Sequence, residues 1–240
     1  MKSSPLVKEL ANQTDRRSAQ HPVRNQGAEP TCVAFALTAL RECIDDASVL
    51  LSPRYLYHYC KISDGIPDEP GTYILTGAQT LFKNGVCEDL IWPYQSLPAP
   101  VPSEADSNAL KYRAHNFVRL DDSDPQVMLK NLKTWLATKG CFVAGIWVYE
   151  SWGQSQAFTT GVIPEPTVYD KCWGGHAICI TGYNDEKNYF SFKNSWGQDW
   201  GDSGYGYISY DHLMARCFET WGILSSETEN PQFTLRRWTA

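Results

Sequence analysis

Apolar and polar residues follow two different rhythms along this chain. From Thr31 to about Asp45, Val33, Ala34, Leu37, Leu40 and Ile44 recur at spacings of one, three and four, the stripe of one broad helical face. Ser52-Pro53 predicts the start of a second, shorter helix: the Ser oxygen accepts a backbone N–H, and Pro has none to satisfy. A third helix is predicted from roughly Leu75 to Lys83, stopped at Asn84-Gly85, where Gly supplies a left-handed residue. Another follows over Pro125 to Thr138. Beyond it the texture changes. "CFVAGIWVY", "HAICITGY", "NYFSFKNSW" and "YGYISY" are short β-branched or aromatic runs broken by Gly, Asn and Asp, the signature of strands. Helices first and strands later predict an α+β chain, a helical lobe packed on a sheet-rich lobe, with a cleft between them as the natural place for a site. The Pro- and Ser-rich stretch 95–107 reads as the crossover.

The chain has 240 residues, 42% of them hydrophobic, enough for one sizeable domain. Its expected limits are 22–225, with the helical lobe over 22–105 and the β-rich lobe over 106–225. Residues 1–21 read as an N-terminal extension and 226–240 as a C-terminal tail. A net charge of -6 offers no basic field for nucleic acid or an anionic membrane. No apolar run is long enough to span a bilayer, and the first residues lack the apolar core of a secretory signal. The expectation is a monomer, cytoplasmic or delivered by a route that needs no signal peptide. The eight cysteines show neither CxxC pairs nor zinc spacing, so reduced thiols are expected, with no metal and no cofactor.

Four residues form a constellation that could do chemistry. Cys32 stands at the start of the first helix, where the positive end of the helix dipole favours thiolate over thiol. Of the five histidines, His176 stands out, at the head of a buried-looking strand and behind two glycines. Asn194 ends the next strand, 18 residues on. A strand out and a strand back set the two side by side, so that Asn194 orients the ring. Gln26 offers a side-chain amide that, with the Cys32 backbone N–H, could stabilise an oxyanion. His21, His58, His115 and His212 read as surface or packing residues. The "DDSD" run at 121–124 reads as a solvated helix entry.

These segments resemble the papain family of cysteine peptidases. "NQGAEPTCVAF" is similar to its cysteine motif, "GGHAICITGY" to its histidine motif and "YFSFKNSWGQDWGDSGYGYI" to its asparagine motif, with "LSPRYLYHYC" and "NGVCEDLIWPY" in order between them. The variants look most like bacterial members. The resemblance implies the two-lobed fold, with a helical N-terminal lobe and an antiparallel, barrel-like β lobe. It also implies a Cys32 nucleophile, a His176 acid–base partner, Asn194 as its orienter and Gln26 in the oxyanion hole. Trp196 would shield the Asn–His hydrogen bond, Trp200 would line the leaving-group side, and Gly71, Thr72 and Gly175 would flank an extended substrate.

The departures from that pattern are local. Glu29 stands where the family has a cysteine bonded to one near the glycine segment. Pro30-Thr31 replaces Gly-Ser and Val33 replaces Trp. Glu29 adds a charge near the cleft, and Pro30 stiffens the approach. The implied activity is a cysteine endopeptidase working through a thioester on a protein or peptide substrate. Toxin or effector use beside an inhibitory immunity protein, and intracellular processing, are the two biological settings. The alternatives are a weakly active papain-like binding module and an acyl transferase using the same cysteine.

Overall fold

A computed structural model of the chain describes residues 10–44, 48–94 and 100–224. The elements run in the order β1 (Gln13–Asp15), α1 (Cys32–Ile44), α2 (Pro53–Ser63), α3 (Ile74–Lys83), α4 (Ala105–Ala109), β2 (Asn116–Arg119), α5 (Pro125–Thr138), β3 (Phe142–Tyr149), α6 (Ser155–Thr160), β4 (Cys172–Asn184), β5 (Tyr189–Lys193), β6 (Tyr205–Ser209), α7 (Tyr210–Arg216) and β7 (Cys217–Leu224).

Local chemistry explains the helix ends. The Ser52 hydroxyl accepts the Tyr55 N–H at 3.1 Å and Pro53 opens α2. Gly85 sits at φ 78° just past α3. Asp124 caps α5, accepting from the N–H groups of Gln126 and Val127, so the acidic run at 121–124 is a helix entry. One helix begins where a plain crossover was expected: α4 starts at Ala105, at the end of 95–107. Residues 95–99, and the expected tail 226–240, lie outside the described residues.

The strands form one antiparallel sheet in the order β2-β7-β3-β4-β5-β6, with β1 added against β4. The pairing of β1 corrects the boundary expected at residue 22. Gln13, Thr14 and Asp15 lie opposite Asn184, Tyr183 and Gly182, and the Arg16 N–H donates to the Thr181 carbonyl at 2.9 Å. Gly182 permits the approach, because a Cβ there would overlap the Thr14 carbonyl. Residues 10–21 are therefore part of the β lobe.

Two apolar clusters correspond to the two lobes. One gathers Leu37, Leu40, Tyr55, Leu56, Leu81 and Trp92 around the first three helices, and reaches across to Val143, Ala177, Cys179 and Trp221 of the sheet. The other fills the β lobe with Trp135, Phe142, Trp152, Phe190, Phe192 and Ile208. Helix α1 is buried along nearly its whole length because it packs on α2 and α3 with one side and on β4 with another. Its first residue, Cys32, thereby emerges where the lobes meet.

Candidate active site

The hairpin of β4 and β5 builds half of the site. Cys179 lies opposite Lys193, so His176, toward the start of β4, and Asn194, just past β5, come together at one end of the sheet. His176 Nε2 lies 2.9 Å from Asn194 Oδ1. The same oxygen accepts the Ser195 N–H at 2.9 Å. Since Oδ1 can only accept, Nε2 is the protonated nitrogen and Nδ1 is left for Cys32. The Trp196 ring stacks on the imidazole, with centroids 5.1 Å apart and planes at 28°. Trp152 stands edge-on to the same ring at 6.4 Å. His176 and Asn194 are both buried, so the bond between them is dry and its geometry fixed.

Helix α1 supplies the other half. The Cys32 sulfur pairs with His176 and also accepts the backbone N–H groups of Val33 and Ala177. Burial pushes this thiol up. The hydrogen bond and positive charge of His176 outweigh that, and Cys32 ends below its ordinary value. For His176 burial pushes downward, but the bond and charge of Cys32 and the Asn194 bond leave it raised. The pair is thus biased toward thiolate and imidazolium, a nucleophile beside its own proton donor.

Comparison with known proteins decides the family. A model of the papain family cysteine proteases matches residues 10–221.

The chain belongs to the papain family.

It is 30% identical over 200 residues to an uncharacterized peptidase C1-like protein of Acanthamoeba polyphaga mimivirus, covering 79% of this chain and 64% of that one. With chymopapain of Carica papaya it shares 31% over 198 residues, covering 79% of this chain and 51% of that one. The chain thus spans between about half and two thirds of these relatives' length. Among solved structures, xylellain, a cysteine protease from Xylella fastidiosa, superposes with a TM-score of 0.79 at 26% identity, covering 94% of this chain and 90% of that one. The bacterial likeness expected from the motifs is therefore one among viral, protist and plant relatives.

In this papain-family frame the remaining expected residues fall in different places. Gln26 is beside the site, and its amide is held at both ends. Ser195 Oγ donates to Oε1 at 2.6 Å, and Nε2 donates to the Glu29 carbonyl at 2.7 Å. One of the two Nε2 protons is therefore spent within the loop, and one is left for an oxyanion. Gly71 borders the nucleophile loop at Pro30, and Lys61 Nζ donates to its carbonyl at 3.0 Å. Thr72 follows it, half-buried. Gly175 is exposed beside the Phe218 ring and opposite Trp147.

The expectation for Trp200 is corrected. Trp200 is 3% exposed and packs behind Trp196 and against Trp152, so it braces the wall of the site and does not line the cleft. Glu29 is exposed beside the nucleophile loop, and Arg54 Nη2 holds its carboxylate at 2.8 Å.

Sequence reasoning missed Ser195 and Tyr94. Ser195 adjoins Asn194 in the asparagine motif, which was a usable signal. Tyr94 closes the segment "NGVCEDLIWPY", but nothing in that segment points to Gln26 or Thr31, because those contacts span more than sixty residues. Among the described residues, no group of three His, Cys, Asp or Glu side chains could hold a metal ion, and no helix is long and apolar enough to cross a membrane.

Proposed function

We propose that the chain is a cysteine endopeptidase that hydrolyses peptide bonds through a thioester on Cys32. One observation carries this reading. A buried imidazole is bound to Asn194 through Nε2 at 2.9 Å and faces, through its other nitrogen, a thiol at a helix N-terminus. The Cys32 thiolate attacks the carbonyl carbon, and its negative charge passes to the carbonyl oxygen. The Cys32 N–H and the free Nε2 proton of Gln26 receive that oxyanion. Collapse of the intermediate breaks the C–N bond, and the departing amine takes the proton from His176. His176 then removes a proton from water, which attacks the thioester, releases the carboxylate and restores the thiol. Asn194 keeps the ring in the tautomer both steps need, and Trp196 keeps water from their bond. Gly71, Thr72 and Gly175 flank the substrate's backbone.

The test is incubation with E-64, which a Carica candamarcensis protease of the same fold binds, followed by mass measurement and by hydrolysis of peptidyl amides. An adduct on Cys32 together with turnover is the expected result. Absence of both overturns the reading, and an adduct without cleavage of any peptide favours acyl transfer.

The same reading includes a setting. The peptidase acts either on proteins of the cell that makes it or, as an effector held in check by an immunity protein, on those of a cell that receives it. Expression in a bacterium beside Cys32→Ala separates these. Growth arrest by the unsubstituted chain alone supports the effector, and equal growth supports processing.

A further inference from the structure

The six residues from Gln26 to Thr31 carry the oxyanion amide and lead into the nucleophile, and one hydroxyl binds both ends of this loop. Tyr94 Oη donates to the Gln26 carbonyl at 2.7 Å and lies 2.8 Å from Thr31 Oγ1. A phenol has one proton, and the Gln26 carbonyl, its shortest acceptor, takes it. The Thr31 hydroxyl then donates to Tyr94. The Glu29 carboxylate, 3.2 Å from the same Oη, is left to Arg54. That guanidinium reaches Glu29 at 2.8 Å and donates to the Tyr94 carbonyl through Nε and Nη2, at 3.2 and 2.9 Å. It also covers the Tyr94 ring at 4.8 Å, while Phe35, one turn into α1, meets that ring edge-on at 4.6 Å. From the opposite lobe, Ser195 accepts the Gln26 N–H at 2.8 Å and orients its side chain.

We propose that Tyr94 and Arg54 are positioning residues, which together with Glu29 clamp the 26–31 loop and set the oxyanion amide against Cys32. The clamp is non-covalent and sits where the family ties this loop with a disulfide. This inference rests on the peptidase reading. It goes beyond it by assigning the geometry of the oxyanion hole to three side chains outside the Cys32–His176–Asn194 set.

The experiment compares Tyr94→Phe, Arg54→Ala and Arg54→Lys with the unsubstituted chain. Three quantities are measured: kcat and KM for a peptidyl amide, the affinity of a peptide aldehyde whose adduct oxygen occupies the oxyanion hole, and the rate of Cys32 alkylation by iodoacetamide, which uses no oxyanion hole. Loss of one oxyanion donor costs about 100- to 1000-fold in kcat, and a misplaced donor costs part of that. The expected result is a fall of about 10-fold or more in kcat and in aldehyde affinity for Tyr94→Phe and Arg54→Ala. KM and alkylation stay within about two-fold, and Arg54→Lys recovers part of the loss. Unchanged kcat and aldehyde affinity overturn the proposal. So does a parallel fall of alkylation and kcat, which marks general loss of the site. If the unsubstituted chain is alkylated at Cys32 but hydrolyses nothing, the peptidase reading fails, and aldehyde affinity alone decides the clamp.

Discussion

The hydrogen bond between Asn194 and His176 has a measurable consequence for pH dependence. A thiol near 8.5 and an imidazole near 6.5, left at about their ordinary values, would be jointly ionised in only about 1% of molecules at best. For the ion pair to dominate, mutual stabilisation must exceed that gap of about two pH units, about 2.7 kcal/mol. The structure shows the opposing contributions. Burial works against both groups, while the Cys32–His176 bond and charge, the Asn194 bond and two backbone N–H groups work for the pair. Acid protonates the thiolate, so the acid limb of kcat/KM lies below the ordinary thiol value. Alkali removes the imidazolium proton, so the alkaline limb lies above the ordinary imidazole value. Both limbs belong to the coupled pair.

Asn194→Ala removes one of the causes that raise His176. Nε2 keeps its proton in both ring states, so only the difference between a charged hydrogen bond, about 1.5–3 kcal/mol, and a neutral one, about 0.5–1.5, moves the limb; the alkaline limb moves down by about half to one pH unit. The acid limb, where Cys32 ionises against an imidazole already protonated, stays in place. Asn194→Asp keeps the acceptor and adds a negative charge, so its alkaline limb moves up. The assay is the pH profile of kcat/KM on a peptidyl amide, with NMR titration of the His176 ring as an independent reading. An alkaline limb that stays fixed in Asn194→Ala refutes the reasoning, as does movement of both variants in the same direction.

Three further outcomes follow from named contacts. Ser195→Ala frees Gln26 Oε1 from its 2.6 Å donor, and kcat falls on the order of 10-fold at unchanged KM, against about 100-fold or more for losing the amide itself; steady-state kinetics at the level of the unsubstituted chain would remove Ser195 from the site. Glu42 is fully buried, 3.0 Å from Arg24 and 4.0 Å from Lys193, and also accepts the Leu51 N–H. Glu42→Gln leaves the buried Lys193 without its counter-charge, while Arg24 keeps Asp89 at 3.5 Å and the Leu51 carbonyl, and lowers stability by about 3–5 kcal/mol in urea unfolding; a midpoint shift equal to that of a surface Glu→Gln would contradict the pairing. Cys32 is held low while burial pushes Cys60, Cys87 and Cys217 up to about 12, so limiting iodoacetamide labels Cys32 well before these three; peptide mass mapping that finds Cys60 or Cys87 labelled as early counts against the thiolate.

Helix ends were legible because capping is written in neighbouring residues: Ser52-Pro53, Asn84-Gly85 and Asp124-Pro125 each act within one turn. The strands at β2 and β7 were not. Asn116–Arg119 is only four residues, and becomes a strand because Cys217–Leu224 pairs with it from about a hundred residues away. The expected site divides along the same line. Residue type and spacing brought Cys32, His176 and Asn194 together on paper, since a hairpin that joins β4 to β5 is a local object. Gln26 reaches them by another route. Its segment bridges to Ser195 and Trp196 across nearly the whole chain, through an Asn25–Trp196 pairing and the Gln26 N–H on the Ser195 carbonyl, and nothing near residue 26 announces those partners. Glu29 shows what such partners change. Beside Pro30 and Thr31 it reads as a charge added near the cleft. With Arg54 from α2 against its carboxylate and Tyr94 beneath the loop, that charge is already engaged. The approach to Cys32 is then held by side chains from two other segments, "LSPRYLYHYC" and "NGVCEDLIWPY", and the oxyanion geometry depends on tertiary contacts that no local pattern encodes.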